Sequence, residues 1–224
     1  MGIKENLLSL KNTFVNPHCL LVAVSKTHPA DAILEAYELG VRDFGENKVQ
    51  ELEEKQVALP KDIQWHFIGH LQTNKVKYIA PFIYLIHGVD SLKLLKEINK
   101  QAEKAGRLIN CLLQVYIAKE ESKFGLDEKE LEELVQSEAI KTLAHVKIVG
   151  LMGMATFTDK EDVVRQEFRN LKSIFDKLKT KKLPSNFDLG EISMGMSGDY
   201  MIAQEEGSTM VRIGTAIFGE REYK

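Results

Sequence analysis

The segment 19–29 reads CLLVAVSKTHP, an apolar run that ends in a lysine, Lys26. Strand interiors avoid charge, and chain reversals usually use Gly, Asn or Pro. A lysine at that point is either a solvated strand end or a half-buried amine, and a half-buried amine is a nucleophile. Far along the chain lie SMGMSGDY (193–200) and RIGTAIFG (212–219). Both place small residues and hydroxyls before a helix start, where backbone N–H groups bind anions. Ser197 and Thr215 add hydroxyl donors, and Gly198 and Gly214 let the backbone approach a ligand closely. The glycines could serve tight turns alone, but the same chemistry in two loops favours a phosphate site.

These residues need elements to position them. Strand-like runs occupy 20–26, 42–46, 64–69, 84–90, 110–117, 147–155, 191–195 and 210–214. Amphipathic stretches with apolar residues three and four apart run between them, and an N-terminal one carries Ile3, Leu7, Leu10 and Phe14. Ser91 is placed to cap a helix, and Gly40, Gly106 and Gly207 to end helices. Strict alternation implies parallel pairing with right-handed crossovers. Eight units point to a single-domain α/β chain, a closed (β/α)8 barrel with an extra N-terminal helix, spanning 1–224. The rival, a doubly wound open sheet, usually has a Gly-rich phosphate turn after its first strand, and none follows Lys26.

Barrels of this kind do their chemistry at the C-terminal strand ends. Lys26 follows the first strand, Glu46 and Asn47 the second, Gly69, His70 and Gln72 the third, and Asp90 the fourth. Tyr116 lies near the end of the fifth, with Lys119 and Lys123 beyond it. Met154, Ala155 and Thr156 follow the sixth, Ser197 and Gly198 the seventh, and Arg212, Gly214 and Thr215 close the eighth. A lysine across from a phosphate site forms imines with carbonyls when desolvation or neighbours lower its pKa. The carbonyl belongs either to a phosphorylated substrate, as in a lysine-dependent aldolase, or to pyridoxal 5′-phosphate (PLP), which carries aldehyde and phosphate together. With PLP present, Arg212 could meet the pyridine nitrogen, and a guanidinium that only donates leaves that nitrogen unprotonated. The bland role for Arg212 is an ion pair at the mouth with Glu46 or Asp90.

The motifs VAVSKTHP, RDFGENKVQEL, WHFIGHLQTNKVK, EESKFGL, GLMGMAT, SMGMSGDY and GSTMVRIGTAIFGER resemble the pyridoxal phosphate homeostasis protein family. The likeness runs from about residue 20 to 221. It implies a barrel of the alanine racemase N-terminal-domain type that binds PLP as an internal aldimine on Lys26. It implies that Arg212 faces the pyridine nitrogen and that Ser197, Gly198, Gly214 and Thr215 hold the phosphate. Asn47, His70 and Met154 match positions that line the pocket, and Lys123 matches a lysine linked to cofactor transfer. Tyr116 departs from the family's usual Asn, and His28 from its commoner Lys. The family is regarded as acting in vitamin B6 homeostasis without established turnover, as a carrier or reservoir with transient contacts to PLP-dependent apo-enzymes. Alanine racemase adds a C-terminal domain that supplies an opposing tyrosine base, and here the chain is expected to stop where the barrel closes. A racemase needs two acid/base groups on opposite faces, so a PLP-dependent amino acid racemase of low activity is the alternative, and a monomer is expected.

Composition agrees with an ordinary globular protein. The 224 residues are 44% hydrophobic and 28% charged, with a net charge of −3. Interspersed charges argue against a nucleic-acid-coating or polybasic membrane-binding protein. Lys177, Lys179, Lys181 and Lys182 suit a solvated helix end. No apolar run approaches the ~18 residues of a span, and a cytoplasmic protein is expected. Cys19 and Cys111 lie in apolar runs as reduced core thiols. His66 and His70, four apart on a strand and so roughly 13 Å apart, cannot share a metal.

Overall fold

Eight short apolar runs form parallel strands: β1 (Leu20–Val24), β2 (Asp43–Glu46), β3 (Gln64–Phe67), β4 (Leu85–Val89), β5 (Ile109–Gln114), β6 (Val146–Met152), β7 (Phe187–Ser193) and β8 (Met210–Ile213). Each pairs with the next and β8 pairs with β1, so the sheet closes into a barrel. The computed structural model describes residues 2–118 and 125–220, and Lys119 and Lys123 lie outside them.

The helices are α1 (Ile3–Asn12), α2 (Ala30–Glu38), α3 (Val49–Ala58), α4 (Val76–Ile79), α5 (Leu92–Lys104), α6 (Glu128–Gln136), α7 (Glu138–Lys141), α8 (Glu161–Lys179), α9 (Tyr200–Glu205) and α10 (Thr215–Phe218). Their apolar stripes cover the outer face of the barrel. In α8 the stripe is Val164, Phe168, Leu171, Phe175 and Leu178, the three–four spacing of one helical face. Together with outward strand residues such as Phe44, Trp65, Phe67 and Ile86, the helical stripes form one large core. The inward residues Val22, Leu85, Leu112, Met152 and Met210 form a second, smaller cluster that fills the lumen. β4 is buried at all five positions, as expected of a strand covered on both faces.

Local chemistry sets the helix ends. Ser91 Oγ accepts from Leu94 N–H at 3.3 Å and starts α5. Gly106, at φ +63°, lies just past its end in the left-handed region that side chains rarely adopt. A capping box of Asp127 and Glu130 starts α6. The amphipathic stretch that continues to 140 is two helices, because Ser137 takes extended dihedrals (φ −64°, ψ 136°) and breaks the ladder. The stretch 73–82 holds only a 3-10 turn (Thr73–Lys75) and one turn of α4, cut short before Pro81, which has no N–H to continue it. α10 has four residues, and α1 packs against it and against α2. Asn6 Nδ2 donates to the Ile217 carbonyl there at 2.9 Å. Among the described residues no helix is long and apolar enough to cross a membrane.

The seventh strand begins at Phe187, before the expected Glu191. The register shifts so that Ile148 faces Phe187 while Gly150 faces Glu191. At that irregularity the strands approach so closely that a Cβ on Gly150 would lie 1.7 Å from the Glu191 carbonyl oxygen. Gly150→Ala is therefore expected to destabilise the protein by about 1–3 kcal/mol or more. Gly190→Ala, with open space around its Cβ position, is expected to stay within about 0.5 kcal/mol. Urea denaturation midpoints of the two variants check this.

Candidate functional site

The site grows from the pairing of the first and last strands. Val22 lies opposite Arg212 and Ala23 opposite Ile213. Side chains alternate along a strand, so Val22 and Val24 face the lumen and Lys26 continues that row beyond the strand end. Lys26 is half-buried. Gly214 ends β8 beside it, and a Cβ there would sit 3.0 Å from the Val24 carbonyl oxygen and 3.3 Å from the Val24 Cβ. Glycine is what lets the two strand ends lie this close. Lys26 and the start of the Gly214–Thr215 loop thus lie at the β1–β8 corner of the mouth, with Arg212 below them, opposite Val22.

Both neighbours of Lys26 are tied down from outside the barrel. Ser25 Oγ donates to Glu46 Oε1 at 2.6 Å. Lys55 Nζ, on α3, donates to the Ser25 carbonyl at 2.8 Å, to Glu46 Oε1 at 2.7 Å and to Glu51 Oε1 at 2.6 Å. Glu51 Oε1 also accepts the Thr27 N–H at 2.6 Å. Thr27 has φ +69°, a strained value for a β-branched residue. The Lys55 side chain is 8% exposed and that of Glu46 is fully buried. Burial pushes the Glu46 carboxyl upward, against the pull of Lys55 and Ser25. Its Oε2 is buried without a hydrogen-bond partner among the described residues.

Arg212 is buried in the lumen below the mouth. Nη1 donates to Ser193 Oγ at 2.6 Å and Nη2 to the Gly153 carbonyl at 3.2 Å. The alternative role, an ion pair with Glu46 or Asp90, does not form among the described residues. Glu46 faces outward to Lys55, and Asp90 Oδ2 lies 3.5 Å from His70 Nδ1. Burial lowers the guanidinium to about 10, with the nearby Asp199 charge opposing the shift.

The remaining predicted residues ring the mouth. Asn47 is partly buried, and the Gly69 backbone passes so near that a Cβ on Gly69 would be 2.7 Å from the Asn47 carbonyl oxygen. The His70 side chain is 57% exposed. Met154 is exposed after β6, in a loop anchored by Thr156, whose N–H and Oγ1 donate to Glu167 at 2.7 and 2.8 Å. Ser197 is half-buried, and Gly198 and Thr215 are exposed. Tyr116 is half-buried, its N–H bonded to the Leu126 carbonyl. His28 stacks on Phe218 of α10 with ring centroids 4.9 Å apart.

Several residues escape sequence reasoning. Lys55 and Glu51 have the i, i+4 spacing of a surface pair, and only the fold buries them. Ser193 and His87 sit at inward positions of β7 and β4, and strand alternation is their one sequence signal. His66 is a buried, hydrogen-bonded histidine, and its ring contacts His87 and Asp43. Cys19 and Cys111 are free and buried, and burial raises the Cys19 thiol to about 11.

Comparisons with known proteins follow this geometry. The family model for the alanine racemase N-terminal domain matches residues 2–222. An alanine racemase of Clostridium difficile superposes with a TM-score of 0.75 at 14% identity, over 58% of its length, and so shares the fold. The class is thus the racemase-type barrel. A pyridoxal phosphate homeostasis protein of Aquifex aeolicus is 43% identical over 204 residues, 91% of this chain and 87% of the relative. The human protein of that name is 42% identical over 91% of this chain and 77% of its own. PipY of Synechococcus elongatus, solved with PLP bound, superposes with a TM-score of 0.86 at 38% identity, covering 97% of this chain and 100% of that one. The chain belongs to the pyridoxal phosphate homeostasis protein family.

Removing Lys55 would strand Glu46 as a buried carboxyl and release both flanks of Lys26. Lys55→Met is expected to cost about 3–5 kcal/mol. Glu51→Gln, at a more exposed site, is expected to cost about 1 kcal/mol or less. Chemical denaturation of both variants is the check, and equal costs would contradict the asymmetry.

Proposed function

We propose that this chain binds PLP at the barrel mouth, covalently through Lys26, and serves vitamin B6 homeostasis inside the cell as a carrier or reservoir without turnover. The observation that supports this is the β1–β8 pairing, in which a buried arginine lies opposite Val22 on the strand that ends in half-buried Lys26, and the Gly214–Thr215 loop starts against Val24. PLP supplies an aldehyde that condenses with an amine, losing water, and a phosphate that anchors it. Lys26 is the amine. Ser197, Gly198, Gly214 and Thr215 take the phosphate through hydroxyls and backbone N–H groups. Asn47, His70 and Met154 line the pocket.

The donor set fits this ligand. Among the described residues, the bonds of Arg212 go to a hydroxyl and a carbonyl and not to a carboxylate, so its charge is not spent on an ion pair. It donates only, which suits a pyridine nitrogen that accepts. An arginine in that place leaves the ring a weaker electron sink than an aspartate would, which favours holding the cofactor over carbanion chemistry. The PLP-bound structure of PipY and the names of the curated relatives support the same cofactor. The protein acts as a single barrel domain and a monomer, and it passes cofactor to PLP-dependent apo-enzymes through transient contact. Lys123, outside the described residues, takes part in that transfer.

An absorption spectrum of the purified protein with PLP, before and after borohydride, tests the reading. A yellow band that bleaches and leaves a pyridoxyl mass on Lys26 is expected. A protein that stays colourless, or carries its adduct on another lysine, overturns the assignment. Lys26→Ala is expected to abolish the band while leaving weak phosphate-anchored binding. Arg212→Ala is expected to weaken PLP roughly tenfold to a hundredfold, the worth of one hydrogen bond to a charged group, and equilibrium titration reads it.

A further inference from the structure

Arg212 ends a chain of four hydrogen bonds that crosses the barrel. Nη1 donates to Ser193 Oγ at 2.6 Å. Ser193 Oγ lies 3.0 Å from His87 Nδ1. His87 Nε2 lies 2.9 Å from His66 Nδ1, and His66 Nε2 lies 3.0 Å from Asp43 Oδ1. The five residues come from β8, β7, β4, β3 and β2. Ser193, His87 and His66 are completely buried.

Proton counting gives the chain one direction. A guanidinium only donates and a carboxylate only accepts. Ser193 therefore accepts from Arg212 and passes its own proton to His87 Nδ1. His87 then carries its proton on Nε2 and donates to His66 Nδ1. His66 carries its proton on Nε2 and donates to Asp43. Every bond is satisfied with two neutral imidazoles between a cation and an anion. Reversing the His87 ring tautomer would leave the Ser193 proton without an acceptor in the chain.

We propose that Ser193, His87, His66 and Asp43 are positioning residues that aim Arg212 at the cofactor and couple its hold to the protonation of the imidazole pair. This rests on the reading that Arg212 faces bound PLP. An added proton gives the pair three N–H groups, one of which fills the bond between the rings. Both outer nitrogens then donate. His87 Nδ1 turns a donor on Ser193, the serine proton loses its acceptor, and a second cation stands beside Arg212 in the lumen. The guanidinium loses the partner that holds it.

The surroundings keep His87 neutral. Burial, then the His66 ring, then the Arg212 charge push His87 well below the ordinary imidazole range. Around the pair, β2 presents Asp43, and Tyr84 before β4 lies 5.4 Å from the His66 ring. β7 presents Ser193 and Glu191, the latter accepting from Thr209 Oγ1, and Asp199 before α9 acts on Arg212. β1, β5 and β6 contribute apolar Val22, Leu112 and Met152 to the lumen. The far end reaches solvent. Asp43 lines a cavity of about 490 Å³ at the opposite face of the barrel, with Lys11, His18 and Arg42 in its wall. Protons can thus exchange with the pair from below, away from the mouth.

The first test uses the full chain without cofactor. Nitrogen-15 spectra of the histidine rings at pH 7.5 are expected to show His66 and His87 each protonated on Nε2 alone. A ring protonated on Nδ1 overturns the chain. The second test loads PLP and follows its affinity and absorption maximum from pH 5 to 8.5. Ser193→Ala, which removes one hydroxyl, is expected to weaken PLP roughly tenfold and shift the band. His87→Gln is expected to flatten any loss of affinity toward the acid end of that range, which in the wild type sets in below the free imidazole value of about 6.5. The double variant is expected to cost no more than the worse single one, as residues acting through one path do. Variants that keep the wild-type affinity, band and pH profile overturn this proposal alone. A wild type that takes up no PLP overturns the functional reading with it.

Discussion

Closure of the barrel between β1 and β8 is the constraint on which the site depends. It joins segments from opposite ends of the chain, with Leu20 opposite Met210 and Ala23 opposite Ile213. Closing so long a loop has an entropic cost, although that cost grows only slowly with length. Contacts outside the barrel reinforce the junction. α1 lies over α10 and bonds to Ile217, and the His28 ring packs on Phe218. The N-terminal helix thus helps where α10, the helix that follows β8, is a single turn. Without this closure the strand that ends in Lys26 and the strand that carries Arg212 have no reason to be adjacent.

Two buried cations flank the site, and the fold treats them differently. Lys55, outside the strands, meets two carboxylates and a carbonyl. Its charge is spent in fixing Ser25 and Thr27 around the lysine between them. Arg212, inside the strands, meets a hydroxyl and a carbonyl. Desolvating a charge without an ion-pair partner is costly, and the fall of the guanidinium to about 10 expresses that cost. The gain is a positive field still available to a ligand. A neutralised arginine would be a strut, whereas this one has no carboxylate partner among the described residues.

The sequence reveals the barrel because periodicity is local. Alternating strand and helix patterns, the Ser91 cap and Gly106 each need only a few neighbours to be recognised. The break at Ser137 and the early start of β7 depend on packing: the first on how a helix turns onto the sheet, the second on a register shift opposite Gly150. The site divides in the same way. Lys26, Arg212 and Gly214 are legible because polar or small residues at strand ends stand out. His87 is not, since a lone histidine in an apolar strand does not announce a serine 106 residues away. Glu51 and Lys55 look like a solvent-facing pair until β2 brings Glu46 against them.

The polar row in the lumen has a consequence for stability. Barrel interiors are usually filled by branched apolar residues, and here Val22, Leu85 and Leu112 do so. Asp43, His66, His87 and Ser193 replace such residues with groups that tolerate burial only while fully hydrogen-bonded. A buried polar network rarely exceeds in stability the apolar core that could stand in its place. Stability therefore does not account for the row. Direction does. A guanidinium in an apolar lumen would have several rotamers and no reason to prefer one. A chain of bonds with a single consistent donor order, anchored at Asp43, selects one orientation for the arginine, with Nη1 on Ser193 and Nη2 on the Gly153 carbonyl just past β6.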